Sequence, residues 1–299
     1  MYKILKVILI KMVKKTAKYC SPDREDNNYT CFTLENLKDI ARAYNKKYSG
    51  GNKIKINGKS RKKLWEEIRE KLSSECNNEV CIAKKYNNNK KIVDEAFRPE
   101  MPEEWKKDMT TWLSTDDINN VMRQYERKYP DFIFLGTVPL DCGINSELQC
   151  ELTRFDIEKM YKMGKTKFAT VYNLSKSYEP GTHWVCVNIA IKPNKENRKN
   201  GKIIANYYDS FGGKSPKEIQ RTIELVEESA ANSKLLRNYQ IENNYNRVRH
   251  QYDSYNCGVF CMWFIIESLK GKTIRQIENM RPSLEKMQKC KSEWYRRGN

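Results

Sequence analysis

Residues 257–266 form an apolar run, Cys-Gly-Val-Phe-Cys-Met-Trp-Phe-Ile-Ile, that contains no charged side chain. In a helix this run would be apolar around nearly its whole circumference, and a helix of that kind is buried on nearly all sides. Ten residues are enough for almost three helical turns. The sequence therefore predicts a buried helix that begins at Cys257.

Upstream of this run, four segments have the β-branched and aromatic composition that is typical of strands. They cover residues 132–136, 168–174, 184–191 and 202–208. Ser114 and Asp117 form a capping box ahead of one helical pattern, and Ser215 followed by Pro216 begins another helix. Strands mixed with helices, without repeated βαβ units, predict an α+β domain.

The start of the predicted buried helix suits a reactive thiol. The dipole at a helix N-terminus stabilises the thiolate form of a cysteine. Gly258 leaves room for a substrate carbonyl to approach, and the backbone N–H of Cys257 is free to bind an oxyanion. Gln251, six residues earlier, can offer its side-chain amide as a second donor. Cys257 is therefore a candidate nucleophile and Gln251 a candidate oxyanion donor.

The choice of a base for Cys257 is narrow, because the chain contains two histidines. His183 starts the third predicted strand, and Asp209 follows the fourth. An antiparallel hairpin would bring these two ends together, and Asp209 could then orient the imidazole and stabilise its protonated form. His250 is the rival base, but it adjoins Gln251, so one of these two side chains must point away.

Each of these residues also has a purely structural explanation. A cysteine ahead of an apolar helix is usually a core residue, a histidine beside a tryptophan on a strand is often only packed, and an aspartate at a strand end often caps a turn. All four residue types together, in an order that allows them to meet, favour thiol-based acyl transfer.

The net charge of +18 is concentrated toward the N-terminus, where residues 1–100 carry 24 Lys/Arg against 13 Asp/Glu. This region is the part of the chain expected to contact a polyanion, and non-specific DNA contact through it is one expectation. A Lys- and Asn-rich composition arising from an AT-rich genome would give the same charge without any such partner.

Composition divides the chain into four parts. Residues 1–18 are apolar but interrupted by lysines, too short to span a membrane and without a cleavage site, so they are expected to be dispensable. Residues 19–83 predict a basic helical domain that loosely resembles the SAP-type DNA-binding module; a helical hairpin that docks on a protein is the alternative. Residues 84–101 predict a polar linker, and residues 102–299 the second domain.

Ten cysteines in a chain of this length do not form a dense disulfide framework, and no secretory signal is convincing;. An intracellular, reducing setting with free or metal-bound thiols is therefore the default expectation. Cys20, Cys31, Cys76 and Cys81 are spaced too widely for ordinary zinc knuckles. Unpaired thiols or a redox-dependent staple are favoured over zinc, and no metal or cofactor is expected.

Three motifs resemble those of the ubiquitin-like-protein protease and adenovirus-protease superfamily: Gly-Thr-His183-Trp184, Tyr-Asp209-Ser-Phe, and Gln251 with Cys257-Gly-Val-Phe. The resemblance covers residues 105–270. It implies a papain-like core with a rearranged chain order. It also implies that His183 is the general base, Asp209 its orienting partner, Gln251 the oxyanion donor and Cys257 the nucleophile. Trp184 matches the tryptophan that covers a narrow di-glycine tunnel in SUMO proteases.

A basic N-terminal extension ahead of this core is most similar to the SUMO-protease-like enzymes of large DNA viruses. That similarity implies an endopeptidase that cuts structural polyproteins after Gly-Gly during particle maturation, in the virion and the host cytoplasm. A clear SUMO-docking surface is not recognisable. The alternatives are a protease that deconjugates a SUMO- or ubiquitin-like protein, a catalytically dead nucleic-acid-binding structural protein, and an acetyltransferase with a similar triad.

Overall fold

The computed structural model describes residues 19–24, 29–48, 50–86, 90–143, 148, 150–196 and 199–298. The predicted dispensable segment 1–18 lies outside the described residues. The chain divides into two compact units. One consists of residues up to Met101 together with those from Glu293 onward, and the other of Pro102–Ser292. None of the helices in the described ranges is both long and apolar enough to cross a membrane.

The N-terminal unit is helical. Its helices are α1 (Leu34–Lys47), α2 (Arg61–Leu72), α3 (Glu79–Tyr86) and α4 (Lys90–Ala96). Helix α1 begins at Thr33, whose hydroxyl accepts a hydrogen bond from the backbone N–H of Asn36, and the Asn36 side chain bonds back to Thr33. Each of the first two helices turns an apolar face toward one shared core, the outcome that the helical spacing of the sequence predicts;.

The described residues of the segment 84–101, predicted as a polar linker, instead belong largely to helices of this unit. They include the end of α3 and the whole of α4. Ile92, Ala96 and Phe97 are buried in the core of the N-terminal unit. Ile92 and Ala96 lie four residues apart, which places these two buried side chains on the same side of α4. Most of the other residues of α4 are polar, so the overall composition of the segment did not reveal a helix.

Four of the cysteines in this unit are joined in disulfides, Cys20–Cys31 and Cys76–Cys81. The paired Cα atoms lie 5.1 and 5.5 Å apart, inside the normal range for a disulfide. A third bond joins Cys142 to Cys150 in the other unit. The structure therefore differs from the default expectation of free or metal-bound thiols and matches the staple alternative. Sequence spacing alone cannot specify pairing among ten cysteines.

A buried carboxylate makes the stability of the N-terminal unit depend on pH. Burial raises the pKa of Glu79 to about 7, although hydrogen bonds from Thr30 and Cys31 and the charge of Arg61 act in the opposite direction. The folded chain thus holds this proton to a higher pH than the unfolded chain does. We expect the free energy of unfolding to fall by about 3 kcal/mol as the pH rises from about 4.5 to about 7, and to level off above that.

Urea titrations across this pH range would measure the effect, with a hydrogen-exchange pulse at one fixed pH reporting the peptides of this unit. The Glu79→Gln variant should lose the pH dependence, because its side chain cannot titrate. Glu70→Gln, which removes an exposed carboxyl from α2, should keep it. An unfolding free energy that stays constant between pH 5 and 7 in the unmodified chain would contradict the assignment.

The second unit contains a mixed five-stranded sheet with helices on both faces. Its elements are α5 (Thr115–Lys128), β1 (Phe132–Pro139), α6 (Ile157–Lys162), β2 (Lys167–Asn173), β3 (Trp184–Pro193), β4 (Gly201–Tyr208), α7 (Lys217–Ala231), β5 (Tyr239–Tyr245), α8 (Cys257–Leu269), α9 (Ile274–Met280) and all but the last two residues of α10 (Leu284–Trp294). The strands lie in the order β1-β2-β3-β4-β5. The outer pairs are parallel and the two inner pairs antiparallel. This arrangement confirms the predicted α+β class.

The predicted buried helix is α8, and it starts at Cys257 as expected. Its residues from Cys257 to Glu267 are all buried. The helix packs against β3 and β2 on one side and against α5 and α9 on others. The opposite face of the sheet is covered by α7, whose residues Ile219, Ile223 and Val226 share a core with β3 and β4. The sheet and its helices therefore hold the N-terminus of α8 in a fixed place.

The hairpin of β3 and β4 sets the geometry of the site. Its pairs run from Cys186 opposite Tyr208 to Pro193 opposite Gly201. The connection between the strands, residues 194–200, thus begins and ends at the end of the hairpin far from His183 and Asp209. This connection lengthens the chain between the two residues without changing the register that brings them together.

Candidate active site

His183 and Asp209 meet at the open end of this hairpin. His183 directly precedes β3, and Asp209 directly follows β4. The Nε2 atom of His183 lies 2.7 Å from Oδ1 of Asp209. Their side chains are only 13% and 10% exposed, so solvent screens the pair weakly. The expected contact between these two residues is present.

The Asp209 carboxylate is fixed by backbone donors on the turn that follows it. Oδ1 also accepts the N–H of Phe211 at 2.9 Å, and Oδ2 accepts the N–H of Gly213 at 3.1 Å. A Cβ atom at position 213 would stand 2.5 Å from Oδ2, so this close approach requires glycine. Burial raises the pKa of Asp209, but the hydrogen bonds from His183, Phe211 and Gly213 outweigh it and lower the pKa overall. Asp209 is therefore a carboxylate.

Asn246 holds the backbone of Asp209 and was not found from the sequence. Its Oδ1 accepts the Asp209 N–H at 2.9 Å, and its Nδ2 donates to the Asp209 carbonyl at 2.7 Å. The residue is completely buried. Asn246 follows β5 in an asparagine-rich stretch, and no local pattern distinguishes it from its neighbours. Only the parallel pairing of β4 with β5 brings it to the site.

His183 is held in its protonated form. Burial lowers its pKa, but hydrogen bonds with Asp209 and with Cys257 outweigh burial and raise the pKa to about 9. Because Nε2 is bound to Asp209, Nδ1 is the ring nitrogen left for the thiol. The ring of Phe211 stacks on the imidazole with its centroid 4.7 Å away and an angle of 18° between the planes. Charge and stacking together fix the imidazole between the carboxylate and the thiol.

Cys257 is a free cysteine and the first residue of α8. Its side chain is hydrogen-bonded to the imidazole of His183 and lies at the positive end of the helix;. The first N–H groups of a helix have no partner within it. The N–H of Cys257 is one of these groups. Together, Cys257, His183 and Asp209 can carry out nucleophilic attack on a carbonyl followed by proton transfer.

The loop before α8 is organised by Asp253, to which the sequence motifs assign no role. Its Oδ1 accepts the backbone N–H groups of Tyr255 at 3.0 Å and Asn256 at 2.8 Å, and its Oδ2 accepts the Asn256 side-chain amide at 3.0 Å. Burial raises the pKa of Asp253, but these hydrogen bonds outweigh burial and lower it. Asp253 thus fixes the backbone that leads into Cys257.

Gln251 lies in this loop and is completely buried. Its Oε1 accepts a hydrogen bond from the Ser210 hydroxyl at 2.6 Å. Its Nε2 donates to the backbone carbonyl of Asp253 at 2.9 Å and lies 3.2 Å from the Asp253 Oδ1. The side-chain amide of Gln251 therefore lies in the loop just before α8, and its N–H groups point toward Asp253.

His250, the rival base, is turned away from the thiol. Its Nε2 lies 3.0 Å from the Glu278 carbonyl, and its Nδ1 lies 3.0 Å from the Tyr208 hydroxyl. A carbonyl can only accept, so Nε2 carries the proton and Nδ1 accepts from the tyrosine. Burial lowers the pKa of His250. The neutral ring is committed to structural bonds on both sides.

Trp184 lies beside the start of α8. Its Nε1 donates to the Leu113 carbonyl at 3.2 Å. A Cβ atom at Gly258 would stand 3.2 Å from Cδ1 of Trp184 and 3.3 Å from the side chains of Leu113 and Ile118. The glycine after the thiol is therefore enclosed by apolar side chains, and only a small residue fits there.

No family model matches the chain. One curated relative, "Putative thiol protease R355" of Acanthamoeba polyphaga mimivirus, is 32% identical over 305 residues, which cover 93% of each chain. Two crystal structures of the ASFV pS273R protease are similar in fold at 19% identity, with TM-scores of 0.64 and 0.60. The two matches cover 95% and 85% of this chain and 97% and 99% of theirs.

The fold and the likeness to these proteins define a cysteine protease built on a mixed sheet and a buried helix. The chain belongs to the family of viral thiol proteases that includes the mimivirus protein. The predicted peptidase activity and the predicted resemblance to enzymes of large DNA viruses are thereby confirmed. The family relation covers nearly the whole of both chains, so it includes the N-terminal unit as well as the second unit.

Proposed function

We propose that this thiol protease is an endopeptidase that cleaves viral structural polyproteins after Gly-Gly during virion maturation. Its place of action would be the virion and the cytoplasmic sites where particles form. The observation that carries the catalytic part is the hydrogen-bonded series from Asp209 through His183 to Cys257. A thiol, an imidazole and a carboxylate in that order are the parts that acyl transfer through a thioester requires.

In the proposed mechanism, the Cys257 thiolate attacks the substrate carbonyl while His183 holds the proton. The oxyanion binds the Cys257 N–H and the Gln251 amide. His183 then gives its proton to the departing amine as the C–N bond breaks, which leaves a thioester on Cys257. Water, deprotonated by His183, attacks this thioester and releases the acid. Asp209 stays ionised and holds the imidazole in position throughout.

The Gln251 amide would have to release one of its present contacts in order to bind the oxyanion. Its nitrogen carries two hydrogens. The bond to the Asp253 carbonyl is the shorter at 2.9 Å, and the approach to the Asp253 carboxylate is the longer at 3.2 Å. The longer contact is the one that a developing oxyanion would replace.

The preference for glycine is supported by the crowding around the residue that follows the thiol. A Cβ atom at Gly258 would stand 3.2 to 3.3 Å from the side chains of Trp184, Leu113 and Ile118, so apolar groups lie close to the start of α8. A substrate that reaches Cys257 past Trp184 would have to be slender, and two glycines are the narrowest peptide segment available. Trp184 is thus the proposed substrate-binding residue.

Purified enzyme incubated with two substrates would test the proposal. One is a fluorogenic peptide ending in Gly-Gly, and the other is a SUMO or ubiquitin fusion cut at its C-terminus. Turnover of the peptide at a rate similar to that of the fusion is expected for a polyprotein endopeptidase. A strong preference for the intact fusion would instead indicate deconjugation. Turnover of neither, with Cys257 unreactive toward iodoacetamide, would favour a dead structural protein.

The N-terminal unit supports a contact with DNA. A concave surface of about 760 Å³ between α1, α3 and α4 is bordered by five basic residues: Arg42, Lys46, Lys47, Lys85 and Lys91. Asp39 pairs with Arg42, Glu75 with Lys85 and Glu95 with Lys91. The five cations outnumber these three carboxylates, so the surface is basic overall. We propose that this basic surface binds the DNA backbone without sequence preference.

The logarithm of the binding constant of the full chain for double-stranded DNA should therefore fall linearly with the logarithm of the salt concentration. Lys46→Gln should reduce the slope by about one. Lys286→Gln, on the exposed side of α10, should leave it unchanged. Fluorescence anisotropy at several salt concentrations would give both slopes. An affinity that does not change with salt concentration would contradict the proposed DNA binding.

A further inference from the structure

A second cavity lies beside the loop that leads into Cys257. Its volume is about 510 Å³, within the range of sites that hold small ligands or peptide side chains. Apolar residues form one part of its wall, and two arginines form another. The lining residues used below are Arg249, Tyr252, Asp253, Phe260, Arg281 and Leu284.

This cavity adjoins the proposed catalytic residues in two ways. Phe260 is three residues after Cys257 in α8, which is about 4.5 Å along the helix axis. The guanidinium of Arg249 lies 5.1 Å from the ring centre of Phe211, and that ring stacks on His183. The cavity is therefore bordered by the first turn of α8 and, through Arg249, by the ring that stacks on His183.

The cavity lies on a different side of α8 from Trp184. Gly258 faces Trp184, and Phe260 follows it by two residues, a rotation of about 200° around the helix. If the residues ahead of the scissile bond pass Trp184, those after it would leave on the side of Phe260. On that path the downstream part of the substrate would reach the cavity.

The cavity carries a net positive charge. Arg249 donates from Nε to the Gln251 carbonyl at 2.8 Å, and its guanidinium lies between the rings of Phe211 and Tyr252, 5.1 Å from each. In the described part of the chain neither this guanidinium nor that of Arg281 is paired with a carboxylate. Asp253 is the acidic residue of the lining.

The Asp253 carboxylate offsets one of the two arginine charges, but its oxygens accept hydrogen bonds from its own loop and do not pair directly with either guanidinium among the described residues. Its Oδ1 accepts the N–H groups of Tyr255 and Asn256, and its Oδ2 accepts the Asn256 amide. Leu284 is half exposed at the rim and Phe260 is buried. The complementary ligand therefore has a carboxylate close to an apolar group.

We propose that this cavity binds the residues immediately downstream of the scissile bond and selects an acidic side chain next to an apolar one. The proposal rests on the proposed endopeptidase function and adds a specificity for the leaving side of the substrate. The two guanidiniums would form charge-assisted hydrogen bonds with the substrate carboxylate. Phe260 and Leu284 would receive the apolar side chain.

Two quenched peptides test the specificity. They share Gly-Gly before the cut and differ after it, one with Asp-Leu and the other with Lys-Leu. The kcat/KM of the acidic peptide is expected to exceed that of the basic one by about ten-fold or more. Arg281→Asn removes one guanidinium and retains a residue that tolerates the left-handed backbone seen there, φ 40°;. This variant should bring the ratio to within about three-fold.

Arg275→Asn is the matched control, since Arg275 is exposed on α9 and does not line the cavity. It should keep the ratio of the unmodified enzyme. A ratio near one in the unmodified enzyme, or a ratio that Arg281→Asn leaves unchanged, would overturn the proposed specificity while leaving the endopeptidase function standing.

A binding experiment separates the two proposals when neither peptide is cut. A fluorescein-labelled Asp-Leu peptide and its Lys-Leu counterpart are titrated with the Cys257→Ala protein. Tighter binding of the acidic peptide that Arg281→Asn weakens and Arg275→Asn does not would support the cavity as an acidic-peptide site even without turnover. Equal binding of both peptides would overturn it. Thermal unfolding of each variant checks that it is folded.

Discussion

Cys257→Ala is expected to abolish peptide cleavage without unfolding the protein. The thiolate is the proposed nucleophile, and removal of a nucleophile in acyl transfer lowers kcat by about 10⁴-fold or more. The substitution deletes one buried sulfur from the first turn of α8 and leaves the rest of this helix packed. Cleavage of the Gly-Gly peptide and the circular dichroism spectrum measure the two outcomes.

Cys261→Ala is the matched control for this experiment. Cys261 is a second free, buried cysteine in the same helix, one turn further on. Burial raises the pKa of its thiol well above the usual value, so it remains protonated and unreactive. Cys261→Ala should keep its activity, and iodoacetamide should label Cys257 in preference to Cys261. Activity that survives Cys257→Ala would show that the nucleophile lies elsewhere.

Asp209→Asn should reduce kcat/KM by about 10²- to 10⁴-fold and change its pH dependence. The neutral amide cannot stabilise the imidazolium of His183, so the pKa of His183 should fall below its present value of about 9. The introduced amide would also present an NH₂ group to one of the backbone donors that now bind the carboxylate, which loosens the turn. Both effects reduce the fraction of enzyme that holds a protonated, correctly placed imidazole beside Cys257.

The raised pKa of His183 determines where activity is lost at high pH. The protonated imidazole is present below about pH 9 and is lost above it, so the basic limb of the pH–rate profile should lie near that value. In Asp209→Asn this limb should move to lower pH. Asp116→Asn, which changes an exposed carboxylate on α5, should leave the profile where it was. An unchanged basic limb in Asp209→Asn would argue against the role given to the carboxylate.

Much of the fold could be predicted because the relevant signals are local. The apolar run predicts α8, and the Ser114 and Asp117 capping box predicts the start of α5, where both reciprocal bonds are present. The four predicted strands correspond to β1 to β4. The edge strand β5 was missed. Its sequence, Tyr-Gln-Ile-Glu-Asn-Asn-Tyr, is polar and half-exposed, so parallel pairing with β4, and not composition, makes it a strand.

The site was predictable to a smaller extent. The order of His183, Asp209, Gln251 and Cys257 indicates which residue types are available, and the hairpin indicates that the first two can meet. The supporting residues depend on tertiary contacts and have no local signal. Asn246 reaches the Asp209 backbone only through the pairing of β4 with β5. Phe211 becomes a stacking partner of His183 only because a turn folds back over the ring.

The hairpin also has a consequence for how this family can change over time. The two ends of the β3–β4 ladder are seven residue steps apart, or roughly 24 Å. The connection between the two strands is therefore far from the place where His183 and Asp209 meet. Insertions and deletions in that connection can accumulate without disturbing the catalytic end. The tip of this hairpin is thus a place where the enzyme can acquire new contacts while its chemistry stays the same.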